Sequence, residues 1–174
     1  MLSLNIHSSL VTLRDIKYEN LPQILIWYNN TDDFSYATGI DHTMTLDELK
    51  RKYAEVAISS NEFFAGIYKR DNGLMIGILK GRLNHETTCN LWINSIAIDP
   101  AFQSMGYGSA AIELLLDHMK QNYEVKKVYI TVIEGNIKGK NFWEKNSFFV
   151  LRIIEKHLLL REKYQNVILM HRFI

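Results

Sequence analysis

Gln103-Ser104-Met105-Gly106-Tyr107-Gly108 stands between an apolar strand pattern, Leu91–Asp99, and an amphipathic helix pattern, Ser109–Met119. A glycine-bearing turn at a helix start leaves several backbone N–H groups without intrahelical partners. The helix dipole adds partial positive charge at the same place. Together these features predict a site for a phosphate or pyrophosphate group, and therefore for a nucleotide-like cofactor.

Composition narrows the class of protein. The 174 residues suffice for one domain with a real core, predicted over 1–174. Formal net charge is +1, which gives no bulk electrostatic case for binding nucleic acid. A single cysteine, Cys89, excludes an intrachain disulfide and indicates a reducing, cytoplasmic compartment. The N-terminal residues lack a signal-peptide pattern, and no run approaches the roughly 18 apolar residues of a membrane span.

Ahead of the glycine turn, the patterns favour short helices and a hairpin. The predicted elements are a strand over Leu10–Arg14, a helix over Asn20–Tyr28, a polar break over Asn29–Asp33, a helix from Thr45 to about Ser60, and strands over Glu62–Lys69 and Leu74–Leu83. Thr45 and Glu48 have capping-box spacing, which marks the start of their helix. Asn72-Gly73 between two apolar runs predicts the hairpin turn.

The second half alternates strands and helices. The predicted elements are a strand over Asn90–Asp99, a helix over Gly106–Gln121, a strand over Val128–Ile133, a helix over Ile137–Asn146, and strands over Phe148–His157 and Gln165–Phe173. Adjacent polar residues, Asn94 and Ser95, interrupt the first of these strands and predict a bulge. The element order predicts a mixed α/β (α+β) domain whose sheet is largely antiparallel. The strand-helix-strand unit at 90–133 should be parallel and right-handed.

Two motifs resemble those of the GNAT superfamily of acyl-CoA N-acyltransferases. One is Gln103-x-x-Gly106-x-Gly108, and the other is Asn136-x-x-Gly139-x-x-Phe142-Trp143-Glu144-Lys145-x-Ser147-Phe148. The best-matched region covers roughly residues 90–150. The outer segments, including Trp27-Tyr28-Asn29-Asn30, are similar to the spermidine and ribosomal-protein alanine acetyltransferase branch.

This resemblance implies a single-domain GNAT fold, flanked by helices, whose sheet is splayed between its fourth and fifth strands. It also implies acetyl-CoA as the donor, with no metal. The residues assigned to CoA are Ile96, Ala97, Ile98, Gln103, Ser104, Met105, Gly106, Tyr107, Gly108, Ser109, Asn136, Phe142 and Trp143. The pyrophosphate would contact the N–H groups from Met105 to Ser109, and pantetheine would pair with the backbone of Ile96–Ile98. Core packing is the alternative for Tyr107 and Trp143, and helix capping for Asn136.

The sequence departs from the family at its acid–base positions. Where relatives carry a basic glutamate, this chain has Trp92 on the fourth strand and Thr131 on the fifth. The usual tyrosine position holds Trp143, whose indole N–H donates a hydrogen bond but does not usefully give up its proton. The catalytic acid and base are therefore unassigned.

Acetyl transfer to a primary amine is the expected reaction, with a polyamine-like small molecule or a peptide N-terminus as acceptor. Asp32 and Asp33 are candidate acceptor contacts, since carboxylates attract a cationic amine, and Asn94 is a third candidate. A solvated turn is the alternative for the two aspartates. Two rival functions stay open: a non-catalytic acyl-CoA-binding sensor or scaffold, and a fold relative that does not bind CoA. A homodimer through the closing strands is a further hypothesis.

Overall fold

In the computed structural model, which describes residues 1–85 and 89–174, eight strands form one sheet. The strands are β1 Asn5–His7, β2 Val11–Asp15, β3 Glu62–Lys69, β4 Met75–Asn84, β5 Asn90–Ile98, β6 Lys127–Ile133, β7 Phe149–Leu160 and β8 Lys163–Phe173. The α-helices are α1 Leu21–Asn29, α2 Thr31–Thr38, α3 Leu46–Ile58, α4 Tyr107–Tyr123 and α5 Ile137–Lys145. The strand order is β1-β2-β3-β4-β5-β6-β8-β7, and β5–β6 is a parallel pair among antiparallel ones. This confirms the predicted mixed, largely antiparallel fold.

Helices cover both faces of the sheet. On one face, α4 and α5 bury Leu115 and Trp143 against strand residues such as Ile130. On the other face, α1, α2 and α3 enclose a second apolar cluster that includes Phe64 and Ile78 of the sheet. The two clusters keep the sheet rigid from both sides, so its central strands can position a site.

The sheet opens between β5 and β6. Their pairing runs from Asn90–Lys127 to Ile93–Ile130 and stops there. At the same point the β4–β5 register shifts, because Gly81 faces Ile93 while Lys80 faces Ser95, which leaves Asn94 as the extra residue. A bulge bends its strand and increases the local twist. The structure therefore confirms both the predicted bulge and the splay, although the splayed strands are the fifth and sixth because β1 precedes them.

Two elements were missed in the N-terminal region. The short strand β1 pairs with β2 in a hairpin, and three residues are too few to show a clear alternation. The segment predicted as a polar break contains the start of α2, whose N-cap is Asn30 and whose C-cap is Gly39 at φ 71°. The prediction was wrong because α2 carries few apolar residues, while its capping residues and its first-turn aspartates were valid helix signals.

The closing hairpin is longer than predicted. β7 extends to Leu160 and β8 begins at Lys163, so the turn between them contains Arg161 and Glu162 alone. Both adopt positive φ, at 52° and 60°. A two-residue hairpin turn of this kind normally uses glycine or asparagine, so Arg161-Glu162 carries no recognisable turn signal.

Candidate functional site

The start of α4 presents unpaired main-chain donors. Gly106 is its N-cap at φ 86°, and no side chain caps the helix. The first intrahelical bond runs from Ala110 N to Gly106 O over 3.0 Å, so the N–H groups of the three preceding residues lie ahead of the helical ladder. Ser104 also has positive φ, at 62°. Turns with such residues can direct successive main-chain N–H groups toward one point. This arrangement suits an anion.

The Gln103 side chain fixes this turn to the end of β5. Its Nε2 donates to the carbonyl oxygen of Ile98 over 2.8 Å. Met105 is 60% exposed at the tip, whereas Tyr107 is half-buried and packs against the core beneath α4. Tyr107 therefore packs against the core, which was the alternative to a CoA contact. Its contact with CoA stays a prediction.

The two sequence motifs meet in space. A Cβ on Gly108 would lie 3.1 Å from Cε2 of Phe142, so α4 begins in close contact with α5. Gly108 is thus needed for helix packing as well as for the predicted approach of phosphate to the backbone. The contact explains why motifs thirty residues apart describe one site.

Asn136 caps α5. Its Oδ1 accepts a hydrogen bond from Gly139 N over 2.8 Å. A Cβ on Gly139 would lie 2.4 Å from Asn136 Nδ2, so the bare Cα leaves room for the folded-back side chain. The capping role is present, and the predicted reach to pantetheine is untested.

The open edge of β5 lies beneath α2. Beyond Ile93, the edge of Asn94–Ile98 that faces β6 has no pairing to that strand. Ser95 Oγ donates to Ala37 O over 2.8 Å, and α2 contacts both β5 and β6. The hydroxyl of Tyr36 lies 3.4 Å from where a Cβ of Gly135 would be, so α2 reaches across the gap. An extended chain could enter this gap and pair with β5 as an added strand.

A cavity of about 320 Å³ adjoins the gap on the α1–α3 face. Its floor is a row of cross-strand neighbours, in which Phe64 pairs with Lys80 and Lys80 pairs with Ser95. Asn94, the bulged residue, completes the floor beside the gap. The cavity therefore begins within two residues of Ile96, where the strand edge predicted to pair with pantetheine starts.

Helices and a loop close this cavity from above. Tyr28, Leu49 and Lys52 line its walls, and residues 38–40 form its roof. Asn29 fastens the following loop, because its side chain donates to Met44 O over 3.0 Å and accepts from Met44 N over 2.7 Å. Burial raises the pKa of Tyr28 to about 12, so this phenol stays protonated.

The cavity is electropositive. Two lysines, Lys52 and Lys80, line it, and none of its described lining residues is acidic. Within 1–85 and 89–174, no carboxylate oxygen lies within 4.0 Å of the Lys80 ammonium. Burial lowers the pKa of Lys80; the charge of Glu62 raises it, that of Lys52 lowers it and that of Glu55 raises it, each by less than burial does.

The predicted acidic contacts lie elsewhere. Asp32 and Asp33 are in the first turn of α2, and neither lines the cavity. Asp32 is 97% exposed at 3.8 Å from the Arg161 guanidinium, and Asp33 accepts from Asn30 Nδ2 over 2.8 Å. Asp41 accepts from Arg161 N, which holds its pKa below the ordinary value. Of the candidate acceptor residues, the structure places only Asn94 on the cavity.

The three departures from the family occupy different environments. Trp92 stacks on Tyr129 with ring centroids 4.9 Å apart, and Thr131 is exposed on β6 beyond the end of the β5–β6 pairing. Trp143 is 7% exposed and lies edge-on between Phe142 and Phe148 in the core. Core packing accounts for Trp143, and its contact with CoA remains a prediction.

Other kinds of site find no support among the residues described. They contain no group of three His, Cys, Asp or Glu side chains arranged to hold a metal ion. No helix in these ranges combines the length and apolar character needed to cross a bilayer. Burial raises the pKa of the half-buried Cys89 thiol, which disfavours the nucleophilic thiolate.

Sequence reasoning missed Lys80 and Tyr28 as cavity residues. A usable signal existed for Lys80, because it stands two residues after Ile78 in an apolar strand and so shares its inward face. Tyr28 gave no such signal, since it lies at the end of an amphipathic helix where an apolar core role is equally consistent.

Comparisons with known proteins agree with this geometry. A family model described as the acetyltransferase (GNAT) family matches residues 24–148. Spermidine N-acetyltransferase of Vibrio cholerae, solved with CoA and spermine, is 22% identical with a TM-score of 0.83, over 95% of this chain and 96% of that chain. The Salmonella typhimurium acetyl transferase that modifies the N-terminal serine of ribosomal protein L7/L12 is 17% identical with a TM-score of 0.83, over 96% of each chain. At these identities the likeness is one of fold.

Among curated proteins the matches are shorter. The spermine/spermidine N(1)-acetyltransferase of Bacillus subtilis is 26% identical over 58 residues, which are 33% of this chain and 38% of that protein. The probable spermine N(1)-acetyltransferase of Bacillus subtilis subsp. natto matches to the same extent. The matched segment thus spans well under half the length of these relatives.

Proposed function

This chain belongs to the acetyltransferase (GNAT) family, and from that premise we propose that it transfers an acetyl group from acetyl-CoA to a primary amine. The acceptor is a small molecule, such as a polyamine, or a peptide N-terminus. The observation that carries the proposal is the sheet opened beyond Ile93–Ile130, with the uncapped start of α4 beside it.

The residues present fit acetyl-CoA. The amides from Met105 to Ser109 would bind the diphosphate, because they combine free donors with the positive end of the α4 dipole. The β5 edge at Ile96–Ile98 would pair with the amides of pantetheine. Phe142 and Asn136 line the same end of the sheet and would bound the pantetheine channel.

Acetyl-CoA supplies a thioester whose carbonyl carbon is open to attack by a free amine. A main-chain N–H near Ile96 would donate to the carbonyl oxygen as negative charge grows on it, and one such donor is typically worth about 3 kcal/mol. The chain needs no covalent intermediate, since the amine attacks directly. Layers of helix on both faces exclude bulk water from the central strands.

The acceptor must arrive as a neutral amine. An alkyl ammonium has a pKa near 10.4, so about a thousandth of it is neutral at pH 7. Neither Trp92 nor Thr131 can accept the proton, so the proton leaves through water or to a cavity residue. The electropositive cavity favours the neutral amine, because neighbouring cations lower the pKa of an ammonium.

Thiol release tests this proposal. The purified chain with acetyl-CoA should release free CoA saturably when a suitable primary amine is added, and mass spectrometry should detect the acetylated amine. Calorimetry should detect acetyl-CoA binding in the absence of acceptor. If acetyl-CoA binds but no amine of a broad panel is acetylated, the result favours an acyl-CoA sensor or scaffold over the enzyme. If acetyl-CoA does not bind, both the enzyme and the sensor or scaffold are excluded.

Two further properties belong to the proposal. The outer strand β7 exposes Phe149, Leu151, Ile153 and Leu159, and these apolar side chains support a homodimer through this edge. Light scattering would report the assembly.

The single cysteine supports a cytoplasmic location, which fractionation would test.

A further inference from the structure

We propose that the cavity beside the β5 bulge binds a carboxylate of the acceptor, so that the substrate is a primary amine that also carries an acidic group. Lys80 is the principal anion-binding residue and Lys52 contributes from the rim. This inference rests on the proposed acetyl transfer and narrows its substrate class.

The charge of the cavity is the first argument. Lys80 is half-buried, and its ammonium has no carboxylate within ion-pair distance among the described residues. Removing a cation from water without a partner is costly, and an anion in the cavity would offset that cost. Lys52 adds a second positive charge to the lining, whereas Glu62 and Glu55, whose charges raise the pKa of Lys80, are not among its described lining residues.

The neutral groups of the cavity agree with an anion. Tyr28 stays protonated and its hydroxyl can donate. Asn94 adds an amide on the side next to the gap, and it is exposed there. Several donors around two cations form a site for a carboxylate, which accepts hydrogen bonds and donates none.

The position of the cavity orients the acceptor. Lys80 and Ser95 are direct cross-strand neighbours, and Ile96 follows Ser95 at the open β5 edge. A carboxylate held by Lys80 would therefore place an amine a few bonds away at the gap. An amino acid, or a peptide whose first residues are acidic, has both groups at this spacing.

A polyamine carries the same sign of charge as the two lysines of the cavity. Asp32 and Asp41, which could have attracted it, lie at Arg161 on the tip of the β7–β8 hairpin. A polyamine would bring positive charge beside Lys80 and Lys52, where the described lining residues include no acid. We therefore expect polyamines to be the poorer acceptors.

The test compares acceptors that differ by one charge. Free amino acids and their carboxamides have nearly the same shape, and acidic peptides can be paired with their amide counterparts in the same way. In the CoA-release assay, kcat/KM should be about tenfold higher for each carboxylate than for its amide, mostly through KM. The free and peptide arms show which source supplies the carboxylate. Equal kcat/KM for each carboxylate and its amide would overturn the inference while leaving acetyl transfer intact. Spermidine as the best acceptor would do the same.

Lysine variants assign the effect. Lys80→Met should reduce the carboxylate-to-amide ratio to near one without weakening acetyl-CoA binding, and Lys80→Arg should restore part of it. Lys50→Met is the matched control, because Lys50 lies on the same helix as Lys52 but pairs with Asp47 outside the cavity. A ratio unchanged by Lys80→Met would overturn the assignment.

A binding arm separates this inference from the enzyme proposal. Calorimetry in the presence of CoA should show an N-acetylated amino acid binding about tenfold more tightly than its carboxamide, in a Lys80-dependent manner. If the affinities differ in this way but no acetyl transfer is detected, the anion site is retained and the transferase proposal is overturned. If acetyl transfer is detected but the affinities are equal, the transferase proposal is retained and the anion site is overturned.

Discussion

The turn at residues 103–109 and the cavity beside the β5 bulge adjoin different parts of β5, and they offer different chemical groups to a ligand. At residues 103–109 the functional groups are main-chain amides on consecutive residues, positioned by one helix start. In the cavity they are side chains that β3, β4, β5, α1 and α3 bring together. The first region would bind the diphosphate of the proposed acetyl-CoA. The second has a charge that differs from what a polyamine requires.

The difference shows which properties can vary independently. A backbone site depends on turn geometry, so few substitutions at the turn preserve it. A side-chain site can change sign with one or two residues on an unaltered frame. Lys80, on the floor of the cavity, is the residue at which this chain determines acceptor charge.

The largest expected effect is at Gly106, and it tests the backbone site. Gly106→Asp should weaken acetyl-CoA binding about a hundredfold, because it puts a carboxylate at the amides that bind the diphosphate. Gly106→Asn is the matched control, since asparagine has the same shape and tolerates positive φ without the charge. Calorimetry should show a much smaller loss for it. Equal losses would mean that backbone strain, and not charge, governs the turn.

Asn136 separates capping from cofactor contact. Asn136→Asp keeps the oxygen that accepts from Gly139 N, so the free energy of unfolding should change little, whereas Asn136→Ala should lose about 1 kcal/mol. If Nδ2 also holds pantetheine, both variants should weaken acetyl-CoA binding several-fold. Urea unfolding and calorimetry on the same samples distinguish the roles. If Asn136→Asp binds acetyl-CoA as well as the unaltered protein does, capping of α5 is the only role left for Asn136.

Gly108 tests the contact between the two motifs. Gly108→Val should destabilise the protein by about 1–3 kcal/mol, because its side chain would press on Phe142. In a Phe142→Ala background the same substitution should cost less, since the ring is gone. Urea unfolding of the four proteins gives the coupling energy. Additive costs would mean that Gly108 is needed for another reason.

The smallest effect concerns Lys80 and pH. Burial lowers the folded-state pKa of Lys80, while the unfolded chain keeps the ordinary value, about 10.4. Between these two values the unfolded state binds more protons, so stability should rise with pH across that window and be lost as pH falls through the folded pKa. Lys80→Met should be the more stable protein near neutral pH, and its advantage should shrink toward the ordinary lysine pKa. Thermal unfolding of the two proteins across this pH window measures the difference.

The sequence predicted the cofactor half of the molecule well. The strand, glycine turn and helix at 90–121, the bulge at Asn94 and the cap at Asn136 all follow local rules of main-chain geometry. The capping box at Thr45 is confirmed by hydrogen bonds in both directions with Glu48. The misses, β1, α2 and the Arg161–Glu162 turn, are short or use residues without strong local preference.

The linear order of residues determined the family, the fold and the glycine turn at the start of α4, because each of these depends on groups close together in the chain. Only the tertiary structure decided that Lys80, Lys52 and Tyr28 face one cavity while Asp32 and Asp41 turn to Arg161. Those juxtapositions depend on strand register and helix packing over long separations in sequence. No local pattern fixes the sign of such a pocket, since its charge is a sum over residues that the fold alone brings together.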